Sequence, residues 1–245
     1  MGMVASGPPG LLWVAAATLL AGLVRGLAGF GGALIFVPLA SALLGPAVAI
    51  PVLNIVDGVA TLPLVPDAVR RCRWAEVIPL FLGAAALLPI GVHVLRVLDP
   101  VILRRGMGVA ILGITLCLAT GARYAGTPGR LASAGVGAVS GLMSGAIGLS
   151  GPPIVLFWLG GQTEARTARA NLIAYFALSG MAAIVTMLGA GLFTAHVLRL
   201  AVVLTPIYAG GVLLGARGFH HASERAFRGF ALVLIAAVAL ASLFA

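Results

Sequence analysis

A few polar side chains stand inside the long apolar runs of this sequence, with types and spacings suited to handling a charged solute. Asn54 and Asp57 lie three residues apart in VLNIVDG, so on a helix they share a face. Asn171 and Tyr175 lie four apart in RANLIAY and share a face in the same way. An amide can donate to an oxyanion, and so can a phenol. Amides among apolar helices also serve as interhelical hydrogen-bond glue, which is at least as common. An acid in apolar surroundings is costly and therefore a functional candidate: Asp57 either carries a coupling proton, or forms a structural ion pair, with Arg25 a candidate partner, or sits close to the end of its span. Arg25 offers several donors to an oxyanion. If its helix starts shallow, it instead snorkels to an interface, and the sequence leans to that second role.

Two glycine-rich stretches flank these residues, GLAGFGGALIFVP from Gly26 to Pro38 and GAIGLSGPPIVLF from Gly145 to Phe157. Glycine weakens a helix interior. A break there frees backbone groups and starts a new helix, whose N-terminus carries partial positive charge and unpaired N–H groups. That is a ready anion site. Candidate binding residues are therefore Gly29, Gly31 and Gly32 at the first break, and Gly148, Ser150 and Gly151 at the second. Pro152 and Pro153 suit a first helical turn, where a missing N–H costs nothing. Ser140 and Ser144 offer hydroxyls nearby, or bond back to their own helix. The competing role for the glycines is close helix packing of the GxxxG kind. The two roles can coexist.

The elements that must position these residues are membrane helices. Of 245 residues, 61% are hydrophobic and 9% charged, which no soluble domain can bury. Apolar runs long enough to span a bilayer recur along the chain, and the alternating polarity of a β-barrel is missing. The fold class expected is an all-α polytopic membrane protein. The formal net charge is +9, with 15 basic residues, all arginine. They fall mainly at expected helix ends and read as orientation signals, not as a nucleic-acid surface. Arginine without lysine, with much Ala and Gly, points to a GC-rich bacterial genome and so to a bacterial inner membrane. Cys72 and Cys117 are too few for a disulfide framework and read as inert thiols. No cofactor is expected; nothing around His196, His220 and His221 has metal-ligand spacing, and His93, near the end of a span, reads as packing or snorkelling rather than a proton relay.

The chain is also written twice. With Gly22 over Gly141, GLVRGLAGFGGALI aligns with GLMSGAIGLSGPPI, and Gly26, Gly29 and Gly32 fall on Gly145, Gly148 and Gly151. Residues 1–120 form a first membrane repeat, 121–130 a linker and 131–245 a second repeat. Each half reads as a short-helix pair around the glycine break (Leu11–Val24 and Leu34–Leu44; Leu131–Met143 and Ile154–Leu159), then three longer spans. The expected spans are Val48–Val65, Val77–Leu95 and Val101–Thr120, then Ala170–Leu192, Val197–Ala216 and Ala226–Leu243. At about 1.5 Å per residue, a helix over Leu34–Leu44 reaches roughly half of a ~30 Å core, so a broken or re-entrant hairpin is expected. Three further spans place the second half on the opposite side, so the repeats are inverted, with a binding site at their interface near the midplane. Arg70, Arg71, Arg73, Arg123, Arg130, Arg166, Arg169, Arg217, Arg225 and Arg228 outnumber Arg96, Arg104, Arg105 and Arg199 across the bilayer. That bias puts the first group in the cytoplasm and both termini outside. Trp13 and Trp74 read as interfacial anchors.

The repeated pattern G-x3-G-x2-G-x-G-G followed by proline resembles the TauE/SafE family of sulfite and organosulfonate exporters, over essentially the whole chain. The second copy departs from it, with Ser150 in place of a glycine and Pro152–Pro153 following. The resemblance implies export of a small sulfur-containing anion such as sulfite, sulfoacetate or a similar sulfonate. The partners expected are that anion and the lipid bilayer, with a homodimer permitted by small-residue faces. A passive anion channel or a carboxylate exporter of the same fold shares these features. An intramembrane enzyme would need paired catalytic groups, and the sequence offers one buried acid without a convincing partner.

Overall fold

The computed structural model describes residues 8–119, 129–159 and 163–219, and among them every regular element is helical. In chain order these are α1 (Pro8–Ala28), α2 (Gly32–Leu44), α3 (Pro46–Thr61), a 3-10 turn (Leu62–Leu64), α4 (Val65–Arg71), α5 (Trp74–Val97) and α6 (Pro100–Ala119). After the linker follow α7 (Arg130–Ile147), α8 (Gly151–Leu159), α9 (Ala165–Gly189) and α10 (Ala195–Phe219). Four helical stretches among the described residues are long and apolar enough to cross a bilayer: Pro46–Arg71, Trp74–Val97, Arg166–Gly189 and Ala195–Arg217. The expected last span, Ala226–Leu243, lies outside the described residues, as do His220, His221 and most of the linker.

The first helix of each pair is longer than the sequence suggested. α1 has 21 residues and runs on through Gly22 and Gly26 to Ala28. α7 has 18 and runs on through Gly141 and Gly145 to Ile147. At about 1.5 Å per residue each covers most of a ~30 Å core. α2 and α8, with 13 and 9 residues, stay short as expected. The early glycines do not end the helices because they are packing positions. A Cβ on Gly22 or Gly26 would run into the backbone of Tyr208 and Val212 on α10. A Cβ on Gly141 or Gly145 would run into the backbone of Ala84 and Leu88 on α5. The partner helices return the arrangement: Gly215 meets Leu23 and Leu27 of α1, and Gly91 meets Leu142 and Ala146 of α7. Small residues let the backbones approach closely enough for dispersion to hold the pairs together, which in lipid is a main source of helix association.

The helices end one turn further on, at glycines that only glycine can satisfy cheaply. Gly29 has φ 79° and Gly148 has φ 70°, both left-handed. Gly29 N–H donates to Arg25 O at 2.9 Å, and Gly148 N–H donates to Ser144 O at 3.1 Å. Each is the left-handed glycine cap that closes a helix C-terminus. Gly31, with φ 94°, then turns the chain into α2. Ser150 replaces it in the second copy and needs no positive φ there.

The core sits where the two α1–α2 and α7–α8 pairs meet α3, α9 and α10; Phe30, Phe36, Ile50, Leu149, Ile154, Trp158, Leu172 and Tyr208 are buried there. The perimeter is apolar as well. Leu131 is 88% exposed, Val202 75% and Trp13 73%, a surface suited to lipid.

Candidate functional site

One cavity of about 580 Å³ opens between the two breaks. Its walls include the first residues of both short helices, Gly31, Gly32 and Ala33 of the first and Ser150, Gly151 and Pro152 of the second. It therefore brings together Arg25, Gly31, Gly32, Asn54, Asp57, Gly148, Ser150 and Gly151 from the sequence candidates. Gly29, Asn171 and Tyr175 lie outside that lining.

Arg25 does not snorkel. It is buried, one turn before the end of α1, and its Nη1 donates to Gly29 O. There the guanidinium caps the carbonyl end of a helix, where positive charge is favoured. Its Nε donates to Asp57 Oδ1 at 2.8 Å and its Nη2 to Asp57 Oδ2 at 3.2 Å. This bidentate fork fits a planar carboxylate, as it would fit a planar or pyramidal oxyanion. Tyr208 from α10 adds a third bond, its hydroxyl donating to Asp57 Oδ1 at 2.8 Å. The Arg25 guanidinium also lies 5.0 Å from the centre of the Phe176 ring. The Asp57 side chain keeps 24% exposure and faces the cavity. The ion pair anticipated among the roles for Asp57 is thus present.

A second arginine reaches the same break. Arg169, on the first turns of α9, donates from Nη2 to Gly26 O at 2.8 Å and packs its stem against Gly29. The sequence placed it among helix-end charges. α9 starts at Ala165, five residues before the expected Ala170, and this puts Arg169 on the helix and against α1.

The two breaks differ chemically. At the start of α2, the N–H groups of Gly32 and Ala33 precede any intrahelical acceptor. At the start of α8, Pro152 and Pro153 have no N–H to offer. Donors there reduce to Gly151 N–H and the hydroxyls of Ser144 and Ser150. The second break is braced from behind: Tyr175 Oη donates to Ser140 Oγ at 2.9 Å, and Ser140 Oγ donates to Ser150 O at 2.6 Å. Tyr175 thus acts on the break through Ser140.

Asn171 belongs to a separate polar cluster. Its Oδ1 accepts from Arg73 N–H at 2.7 Å, and its Nδ2 donates to Glu76 Oε2 at 3.0 Å. Trp158 Nε1 donates to the same oxygen at 3.0 Å. The cluster ties α8, α9 and the start of α5 together at the end opposite the cavity's apolar reach. Asn54 donates to Ile50 O at 3.0 Å within its own helix and approaches Met187 Sδ at 3.8 Å. Tyr208, Arg169, Glu76, Trp158 and Phe176 were not legible as site residues. Each acts through a partner distant in the chain, and none carries a local motif.

No curated protein and no solved structure matches the chain. The family described as Sulfite exporter TauE/SafE matches residues 14–242, nearly the whole length. With its apolar helices, this makes the chain a multi-pass membrane protein of the transporter class, and it belongs to the TauE/SafE family of sulfite exporters.

Proposed function

We propose that this protein is a secondary transporter that exports a small sulfur-containing anion, sulfite or an organosulfonate, held between the two glycine breaks. The observation that carries the reading is the shared cavity, which the starts of α2 and α8 line together with Arg25. Partial positive charge from two helix N-termini and one buried guanidinium converge on a water-poor space, where such charges act strongly on an anion. An arriving oxyanion competes with Asp57 for the Arg25 fork. Asp57, once released, is the group that can take up a proton and couple its movement to the anion's. Without that coupling, a negative interior still favours anion exit.

Residues 1–120 and 131–245 act as inverted repeats in this reading, joined by 121–130. Support comes from the recurrence of the left-handed cap at Gly29 and Gly148, and from the matched interlocks of α1 with α10 and α7 with α5. Rocking one repeat against the other would expose the cavity to alternate sides. The arginine bias orients the chain with Arg70–Arg73 in the cytoplasm of a bacterial cell and the termini outside.

Thermal unfolding of the purified protein against sulfite, sulfoacetate, taurine, sulfate, lactate and phosphate tests the reading. A ligand at ~100 times its dissociation constant adds about 2.7 kcal/mol to the native state. Stabilisation by a sulfur anion, lost in Gly151→Trp, is the expected result. Gly151 is the better position to fill, since its Cβ would meet only Phe176 Cζ at 3.8 Å, whereas one on Gly32 would strike the Tyr208 hydroxyl. A shift from lactate or phosphate alone would remove the substrate class. Anion flux in proteoliposomes that never runs against a gradient would make the protein a channel.

A further inference from the structure

The glycine interlocks do not follow the two halves of the chain. α1 belongs to the first half, yet it meshes with α10 of the second. A Cβ on Gly211 would lie 2.9 Å from Leu23 N, and one on Gly215 would lie 2.8 Å from Leu27 N. α7 belongs to the second half, yet it meshes with α5 of the first. A Cβ on Gly141 would lie 2.6 Å from Ala84 Cα, and one on Gly91 would lie 2.9 Å from Ala146 N. In both pairs backbone meets backbone, with no side chain between them to yield. The hydrogen bonds between helices sort in the same way. Arg25 of α1 and Tyr208 of α10 both hold Asp57 of α3. Trp158 of α8 and Asn171 of α9 both hold Glu76 of α5, and Tyr175 of α9 holds Ser140 of α7. Two bodies result: α1, α2 and α3 with α10, and α7, α8 and α9 with α5.

Contact between the bodies runs mostly through side-chain ends. A Cβ on Gly148 would meet Ile50 Cγ1 and Val37 Cγ2 of the first body at 3.0 and 3.2 Å. One on Gly29 would meet Arg169 Cγ and Ile173 Cγ1 of the second body at 3.1 and 3.7 Å. One on Gly58 of α3 would meet Ile184 Cδ1 of α9 at 3.6 Å. The cavity lies on this boundary, with Arg25, Gly32 and Asp57 on one side and Ser150, Gly151 and Phe176 on the other. Three polar contacts cross it. The Arg25 guanidinium lies over the Phe176 ring, Asn54 Nδ2 approaches Met187 Sδ at 3.8 Å, and Arg169 Nη2 donates to Gly26 O at 2.8 Å. The last is the strongest, a short bond from a charged donor. The chain passes between the bodies at α4, which rests on α9, and at Gly191, whose φ is 71° and whose Cβ position is open.

We infer that the units which rock are these two bodies, each built from the break and the following helix of one repeat plus one long helix lent by the other, and that Arg169 latches them together at the first break. This deepens the rocking step of the transport reading and rests on it. Moving the halves of the chain as continuous blocks would pull apart both glycine interlocks. Moving the exchanged bodies slides side-chain ends past one another around the cavity, as packed helices do in a shear motion.

The test is pulsed dipolar spectroscopy of the full chain in lipid nanodiscs. Gadolinium chelates are attached through thioether bonds, which sulfite does not cleave, to cysteine pairs in a Cys72→Ala/Cys117→Ala background. Leu12, Ile90, Leu131 and Leu214 are exposed on α1, α5, α7 and α10. Leu12→Cys/Leu214→Cys and Ile90→Cys/Leu131→Cys each join different repeats within one body. Leu12→Cys/Ile90→Cys and Leu131→Cys/Leu214→Cys each join different bodies within one repeat. Without any anion, the cross-body pairs should give broader distance distributions than the within-body pairs. Saturating sulfite should shift at least one cross-body pair by more than about 2 Å and leave both within-body pairs within about 1 Å. Arg169→Met keeps a stem against Gly29 and removes the donor. It should broaden or displace the cross-body distributions without sulfite and leave the within-body ones unchanged. Within-body pairs that shift while cross-body pairs hold would overturn the inference, because the halves of the chain would then be what moves. Four fixed pairs of equal width would overturn it as well, and cross-body pairs unmoved in Arg169→Met would overturn the latch. Broad cross-body pairs that ignore sulfite, in a protein that sulfite does not stabilise, would remove sulfite as the substrate and leave the two bodies standing.

Discussion

The Arg25–Asp57 ion pair lies inside the bundle, with the Arg25 side chain 5% exposed, whereas Arg71 and Asp67 pair in the open at a helix end. Two charges taken from water stabilise a fold weakly, but removing one partner leaves the other buried and uncompensated. Asp57→Asn should therefore lower stability by about 3 kcal/mol, read as a drop in melting temperature in detergent. Arg25→Met/Asp57→Leu should recover most of that loss, because apolar side chains of similar volume often replace a buried pair without cost. The same double variant should show no stabilisation by any anion. Recovery of stability together with a retained anion response would detach Arg25 from the binding site. Here the sequence carried half of the answer. It named Arg25 and Asp57 as possible partners, but Tyr208, 151 residues from Asp57, could not be connected to them.

On the scale of elements, the glycine motif separates into two jobs that the sequence left superimposed. Gly22, Gly26, Gly141 and Gly145 press helices together, whereas Gly29, Gly31 and Gly148 turn the chain. Neighbouring glycines on α10 make the packing job measurable. A Cβ on Gly210 meets nothing within 4 Å, but one on Gly211 would lie 2.7 Å from Leu19 O and 2.9 Å from Leu23 N. Gly210→Ala should be neutral or stabilise by up to about 1 kcal/mol through helix propensity. Gly211→Ala must push α10 off α1 and should lower the melting temperature clearly. Equal melting temperatures for the two variants would mean that α1 and α10 are not interlocked. The lengths of α1 and α7 were misread for the same reason: a packing glycine and a breaking glycine look alike until a neighbouring helix is present.

For the whole molecule, orientation decides which way the cavity faces. Cys72 lies between α4 and α5, beside Arg71 and Arg73, and outside the spans. In a Cys117→Ala background it should react with a membrane-impermeant maleimide in inside-out vesicles and not in right-side-out ones. Partial burial raises the Cys72 thiol above its ordinary pKa, with a bond from its own backbone N–H opposing this only in part. The thiolate is the reactive form, so labelling should accelerate as pH rises through and beyond the usual thiol range. Labelling from the outer face alone would invert the assignment and place the termini in the cytoplasm.

Composition by itself determined that the chain lives in a membrane, because apolar surface on this scale has no other solvent. The glycine stretches located the two breaks, though not the residue at which each helix ends; a left-handed turn at Gly29, Gly31 or Gly148 is open cheaply to glycine alone. Repetition of that spacing pointed to two breaks sharing one cavity. Only the tertiary structure decided which polar residues face it. Asn171 and Tyr175 share a helical face, as expected, yet that face looks toward Glu76 and Ser140, partners 95 and 35 residues away. Arg25 could have reached an interface or a carboxylate, and the packing of α1 against α2 and α10, the helices that also hold α3, decided for the carboxylate. Periodicity specifies which residues share a face. The neighbour that the face meets is set by helix packing between residues far apart in the chain, and no local pattern encodes it.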